Sequence, residues 1–94
     1  MLNSKISGVG IYVPDNVIRN NDLESMMNTS DEWIQERTGI KERRWVNNEK
    51  LTTSQMGTYA SENAIEDAGI SKDDIDFIIF ATLSPDYFFP GSGV

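Results

Sequence analysis

The chain has 94 residues, with 8 Lys+Arg against 15 Asp+Glu, no His and no Cys, for a net charge of −7. That balance disfavours a general role in gripping nucleic acid or an anionic membrane. The missing thiol and imidazole exclude disulfides, Cys/His zinc sites, Cys nucleophiles and every catalytic dyad or triad built on His.

Leu, Ile, Val and Phe make up 23 of the 94 residues, enough for collapse. A domain of this size buries only about 60–65% of its unfolded surface, so a thin core is expected. No basic stretch followed by an apolar run and a cleavage site opens the chain, and no apolar stretch approaches the ~18 residues needed to span a bilayer. A cytoplasmic setting is the expectation.

Residues 5–13 read as a strand in which Val9, Ile11 and Val13 share one face, while Gly8 and Gly10 leave the other bare for a close backbone approach. Pro14-Asp15-Asn16 ends it as a turn. Asn20, Asn21 and Asp22 supply caps for a short helix carrying Leu23, Met26 and Met27. A second helix is expected from Thr29-Ser30-Asp31-Glu32. Either hydroxyl can cap it, and Thr29 with Glu32 has the spacing of a capping box. Gly39 is its stop, and residues 40–46 read as an extended, charge-rich segment.

In the third helix Thr52 and Gln55 fit another capping box, Met56, Ala60, Ala64 and Ala68 recur at every fourth position, and Gly69 closes the element. The alanine stripe predicts a helix lying close against a sheet. After a turn at Ser71-Lys72-Asp73-Asp74, residues 75–83 read as a strand. From Phe77 to Ala81 that run is apolar without alternation, which predicts a central strand covered on both faces. Residues 86–94 are aromatic and turn-forming and supply no closing element. The chain is therefore expected to be one incomplete portion of a larger domain, with no internal boundary over residues 1–94.

Two constellations carry chemistry. On a helix Trp33 and Arg37 stand one turn apart on a shared face, with Thr29 one turn before Trp33. An indole beside a guanidinium suits a nucleotide, the ring stacking on a base while Arg reaches a phosphate. A core Trp with a stacked surface Arg is the other reading of the same pair, and residue type alone favours it. Five of the eight basic residues, Arg37, Lys41, Arg43, Arg44 and Lys50, fall within fourteen positions. They form either a patch for a polyphosphate or a solvated strand face paired with Glu42 or Glu49.

Other signals fail. Gly8-Val9-Gly10 lacks the third glycine of a dinucleotide fingerprint, its place being held by Val13. Asp73, Asp74 and Asp76 lack the ligand ladder of a calcium loop and read as turn and cap acids. No metal site is expected.

The run Thr29-Ser30-Asp31-Glu32-Trp33-Ile34-Gln35-Glu36-Arg37-Thr38-Gly39-Ile40 resembles the N-terminal signature of the β-ketoacyl-acyl carrier protein synthase III family, the initiating condensing enzymes of bacterial fatty acid synthesis. Residues 6–14, 21–24, 39–43, 64–70 and the Phe89-Pro90 pair also resemble it in order and near spacing, so the likeness extends over essentially the whole chain.

The resemblance implies an α/β chain forming the N-terminal part of the first half of a thiolase-like αβαβα fold. It places the catalytic Cys, His and Asn beyond Val94, so the isolated fragment is expected to be inactive. It assigns coenzyme A contacts to Thr29, Trp33, Arg37 and Thr38, and a role in the acyl pocket and dimer interface to Phe89, for which simple packing in that interface is the alternative. The implied partners are an acyl-CoA, acyl carrier protein and a second subunit, with the coenzyme A thioester as substrate and no separate cofactor. Acetyl-CoA is the expected primer. A condensing enzyme of secondary metabolism and a non-catalytic nucleotide- or protein-binding module are the other readings. Alone, the fragment is expected to self-associate through residues 77–80 and 87–89.

Overall fold

The computed structural model describes residues 2–47 and 50–86. They divide into two units, residues 2–12 with 50–86, and residues 13–47.

The first unit is built on α3, the third helix in chain order, at Thr53–Ala68. Its ends are those the sequence predicts. The Thr52 side chain accepts from Gln55 N–H at 3.2 Å, while the Gln55 side chain accepts from Thr52 N–H at 3.0 Å, and Gly69 closes the helix in the left-handed region at φ 68°. Residues 8–12 lie along it. A Cβ built on Gly8 would stand 2.6 Å from Ala68 N and 2.7 Å from Ala64 O; one on Gly10 would press on Ala64 N and Ala60 O.

The bare edge of the segment therefore sits on the alanine stripe, stepping back one helical turn for every two residues it advances. Two side chains of α3 serve the segment's backbone: Asp67 accepts from Val9 N–H at 3.0 Å, and Asn63 donates to Ile11 C=O at 3.0 Å. Tyr12 ends the contact against Tyr59, ring centroids 5.0 Å apart.

After Gly69 a short 3-10 turn, Lys72–Asp74, is capped reciprocally by Ser71 and Asp74, which bears out the reading of Asp74 as a cap acid. Residues 75–83 then depart from the expected doubly covered strand. The ring of Phe80 reaches the glycine gap in α3 at Gly57, 2.6 Å from where a Cβ would lie. Phe77 and Ile79 are 81% and 86% exposed. Phe80 is thus drawn in, while Phe77, Ile79 and, at 63% exposure, Ile78 stand open. Neither this run nor residues 5–13 enters a β-ladder among the described residues. A strand requires a neighbour about 4.7–4.9 Å away with which it exchanges backbone hydrogen bonds, and neither run pairs with one among the described residues.

The same unit is fastened at the start of α3. Thr53 donates its hydroxyl proton to Ser84 C=O at 2.7 Å, and Asp86 accepts from Ser54 N–H at 3.2 Å and from the Ser54 hydroxyl. The Ser54 hydroxyl, more than any other contact, holds the Asp86 carboxyl below its ordinary range. A group whose pKa is lower folded than unfolded stabilises the fold above its unfolded value and loses that contribution as protons bind the carboxylate. The fastening is expected to hold above about pH 5 and to weaken as pH falls below about 4. Urea unfolding across that range should show Asp86→Asn with a shallower acid-side decline than the unsubstituted chain.

The second unit holds a two-stranded antiparallel sheet, β1 at Asn16–Arg19 and β2 at Glu42–Trp45, in the register Asn16↔Trp45 to Arg19↔Glu42. Between the strands come α1, Asn20–Glu24, and α2, Asp31–Thr38. The expected turn at residues 14–16 gives way to the start of β1 at Asn16, and β1 itself is not anticipated by the sequence reading. The α1 helix is shorter than expected: Met26 and Met27 lie past its end and are exposed. Asp22 is its capping acid, accepting from Arg19 N–H at 2.7 Å. Leu23 of α1 and Ile34 of α2 are the buried hydrophobes among the described residues. The core is as thin as the composition predicts.

Candidate functional site

The α2 helix presents the candidate face. Ser30 is its cap, accepting from Trp33 N–H at 3.1 Å. The expected Thr29–Glu32 capping box does not form, because the helix takes Ser30, the other expected hydroxyl, as its cap and so starts one residue later. Asp31 and Glu32 in the first turn and Arg37 in the last complement the helix dipole. Gly39 ends the helix in the left-handed region at φ 72°.

With Ile34 turned inward, Trp33 and Arg37 are left on the outer side. Trp33 is 53% exposed, so it is not a core residue. Arg37 places its guanidinium carbon 5.2 Å from the indole centroid, a cation–π contact worth about 0.5–1 kcal/mol at an exposed position. No carboxylate lies within ion-pair distance of Arg37 among the described residues. Beside the ring is a cleft of about 400 Å³ lined by Asn28, Thr29, Ser30 and Trp33. The Thr29 N–H is engaged with Met27 C=O at 3.0 Å.

An open indole face, an adjacent guanidinium and a polar cleft suit a base joined to a phosphate. Thr38 contributes differently. Its hydroxyl donates to Ile34 C=O at 2.7 Å and accepts from Ile40 N–H at 3.0 Å, so its donor and one acceptor position serve the end of α2. Phe89 lies outside the described residues, as do residues 87–94 as a whole.

The basic run separates by role. Arg43 donates to Ile18 C=O at 3.3 Å and to the Asn20 side chain at 2.7 Å, and Arg44 donates to Pro14 C=O at 2.9 Å. Glu42 pairs with Arg19 at 3.7 Å, not with its neighbours in the run. Two of the five cations therefore hold the sheet in place, while Lys50 belongs to the first unit.

Asn20, expected as a cap, is instead the first residue of α1, 2% exposed, and joins α1, α2 and β2. An Asn at a helix start reads as a cap, and residue type does not distinguish a cap from an inward-facing amide. The Asp31 carboxyl, which accepts from Gln35 and Asn20 at 2.7 Å each, is held below its ordinary range by Gln35 first and Asn20 next, with Lys41 assisting. Asp31 and Asp86 both shift downward, so both are ionised at neutral pH and neither is poised as a general acid there. Among the described residues no group of three Asp or Glu is placed to hold a metal ion, and no helix is long and apolar enough to cross a membrane.

Comparison with known proteins places these features in a wider setting. No protein-family model matches the chain. It is 57% identical over 88 residues to beta-ketoacyl-(acyl-carrier-protein) synthase III of Chlamydia pneumoniae, a match covering 94% of this chain and 26% of that protein. It is 54% identical over 89 residues to beta-ketoacyl-(acyl-carrier-protein) synthase III 1 of Bacillus anthracis, covering 95% and 28%. Its backbone superposes on the crystal structure of 3-oxoacyl-(acyl-carrier-protein) synthase III from Aquifex aeolicus with a TM-score of 0.87 and 47% identity, over 96% of this chain and 29% of that one. The chain thus spans about a quarter of the length of the curated relatives it matches. The course of its backbone is that of the solved structure even where residues 5–13 and 75–83 form no ladder of their own.

Proposed function

We propose that the chain, which is 54–57% identical to β-ketoacyl-acyl carrier protein synthase III proteins over about a quarter of their length and shares the thiolase-like α/β fold of a solved one, forms part of an acyltransferase that condenses acetyl-CoA with malonyl-acyl carrier protein to open fatty acid synthesis. Within that enzyme this chain is one incomplete portion of the domain and supplies a wall of the coenzyme A site. The observation that carries this assignment is the half-exposed Trp33 ring with Arg37 5.2 Å from its centroid, beside the Thr29 cleft.

The indole stacks on the adenine, Arg37 meets phosphate charge, and Thr29 lines the approach. Thr38 contacts the coenzyme from the end of α2, through the acceptor capacity its two internal bonds leave. Phe89 shapes the acyl pocket across the interface of a homodimer. The protein works in the cytoplasm.

The chain has no Cys and no His, so the covalent chemistry is assigned to residues outside it. There a Cys thiolate attacks the acetyl thioester and releases coenzyme A. Malonyl-acyl carrier protein then loses CO2, and the resulting carbanion attacks the enzyme-bound acetyl group and frees the thiolate. His and Asn stabilise the enolate and the oxyanion of condensation. On its own the 94-residue chain binds no partner productively and self-associates through its open apolar faces.

The full-length protein, incubated with radiolabelled acetyl-CoA and malonyl-acyl carrier protein, is expected to yield labelled acetoacetyl-acyl carrier protein, and the 94-residue chain none. Failure of the full-length protein to transfer any acyl group from coenzyme A would overturn the assignment.

A further inference from the structure

Asn20 is the most deeply buried polar residue described, at 2% exposure, and its side chain is fully engaged. One amide nitrogen uses its two protons on Asp31 Oδ1 at 2.7 Å and on Ile40 C=O at 2.8 Å, and the amide oxygen accepts from Arg43 Nη2 at 2.7 Å. Asp31 opens α2, and Ile40 follows Gly39 just past its end. A single amide therefore grips the helix at both its first residue and its exit, and anchors that grip to β2. The orientation of the amide follows from its partners, two acceptors on the nitrogen side and a guanidinium on the oxygen side. Trp33 and Arg37 ride on the helix so held, and neither touches Asn20.

We infer that Asn20 is a positioning residue for coenzyme A, setting the angle at which α2 presents Trp33 and Arg37 by tying down both ends of the helix. The inference rests on the assignment of that face to the coenzyme.

The test is the kinetics of the full-length enzyme with acetyl-CoA. Asn20→Asp places a carboxylate against Asp31 Oδ1 and Ile40 C=O, which are both acceptors, while keeping the contact to Arg43. It is expected to raise KM for acetyl-CoA about tenfold and leave kcat within about twofold. Adding Asp31→Asn reverses donor and acceptor across the broken contact and is expected to return KM to within about threefold of the original. A merely structural role predicts the opposite split, less active protein and lower kcat at unchanged KM, and no recovery in the double variant.

If Asn20→Asp does not fold, Asp31→Ala, at a half-buried position, removes one end of the grip alone. It is expected to raise KM several-fold, and an unchanged KM would overturn the inference. Trp33→Ala separates the two levels. If it raises KM while the Asn20 and Asp31 variants do not, the positioning role fails and the site stands. If Trp33→Ala leaves KM unchanged, the site fails and takes the positioning role with it.

Discussion

Gly10→Ala is expected to destabilise the chain by about 3 kcal/mol or more, a large share of a net stability of order 5–15 kcal/mol. Two effects compete. Alanine restricts the unfolded chain and would on that account stabilise by about 0.4–1 kcal/mol. Against it, the new Cβ meets Ala64 N, Ala60 O and, at 2.8 Å, the carbonyl carbon of Asn63. These are helix backbone atoms, which cannot swing aside as a side-chain tip can, so overpacking wins.

Gly39→Ala is the informative comparison. Nothing lies within 4 Å of its Cβ, but φ is +72°, so the penalty is the left-handed backbone alone, about 1 kcal/mol. Urea unfolding followed by circular dichroism measures both. A Gly10→Ala variant within 1 kcal/mol of the original would mean that residues 8–12 are not seated on α3.

Trp33→Ala is expected to weaken coenzyme A binding by about 5- to 150-fold, the equivalent of 1–3 kcal/mol for one aromatic–base stack. The ring is 53% exposed and its strongest internal contact is with Arg37, so the fold should lose little. Trp33→Phe keeps a smaller stacking face and should fall between the two. Calorimetric titration of the full-length protein with coenzyme A checks the order. Equal affinities across the three would remove the adenine from this ring.

How far the sequence foretold these features depended on whether the cause was local. The caps of α3, the stops at Gly39 and Gly69, the bare face at Gly8 and Gly10 and the small face of α3 were each legible, because each follows from spacing and a single residue's conformational or steric character; that the two faces meet was not. Nor was the strand β1. Its apolar content is Val17-Ile18, it follows a Pro-Asp pair, and its partner strand is the charged Glu42–Trp45. What holds that ladder is tertiary, with Arg43 and Arg44 reaching back to Ile18 and Pro14 carbonyls. Residues 75–83 carried a strand's composition, but a ladder needs a neighbour that composition cannot provide. At the site, residue type alone favoured a core Trp33 over a ligand face. Its exposure removed the first of these, while the inward turn of Asn20 had no sequence signal at all.

The seat of residues 8–12 on α3 behaves as a vernier. Two residues of extended chain advance about 6.6 Å, and four residues of helix about 6.0 Å. The two scales slip past one another by roughly 0.6 Å at each division. Backbone-to-backbone seating can stay in phase for a step or two only, and here it runs from Gly8 at Ala68 and Ala64 to Gly10 at Ala64 and Ala60. At the next division the chain has no glycine. Tyr12 stands there instead, its ring tilted against Tyr59.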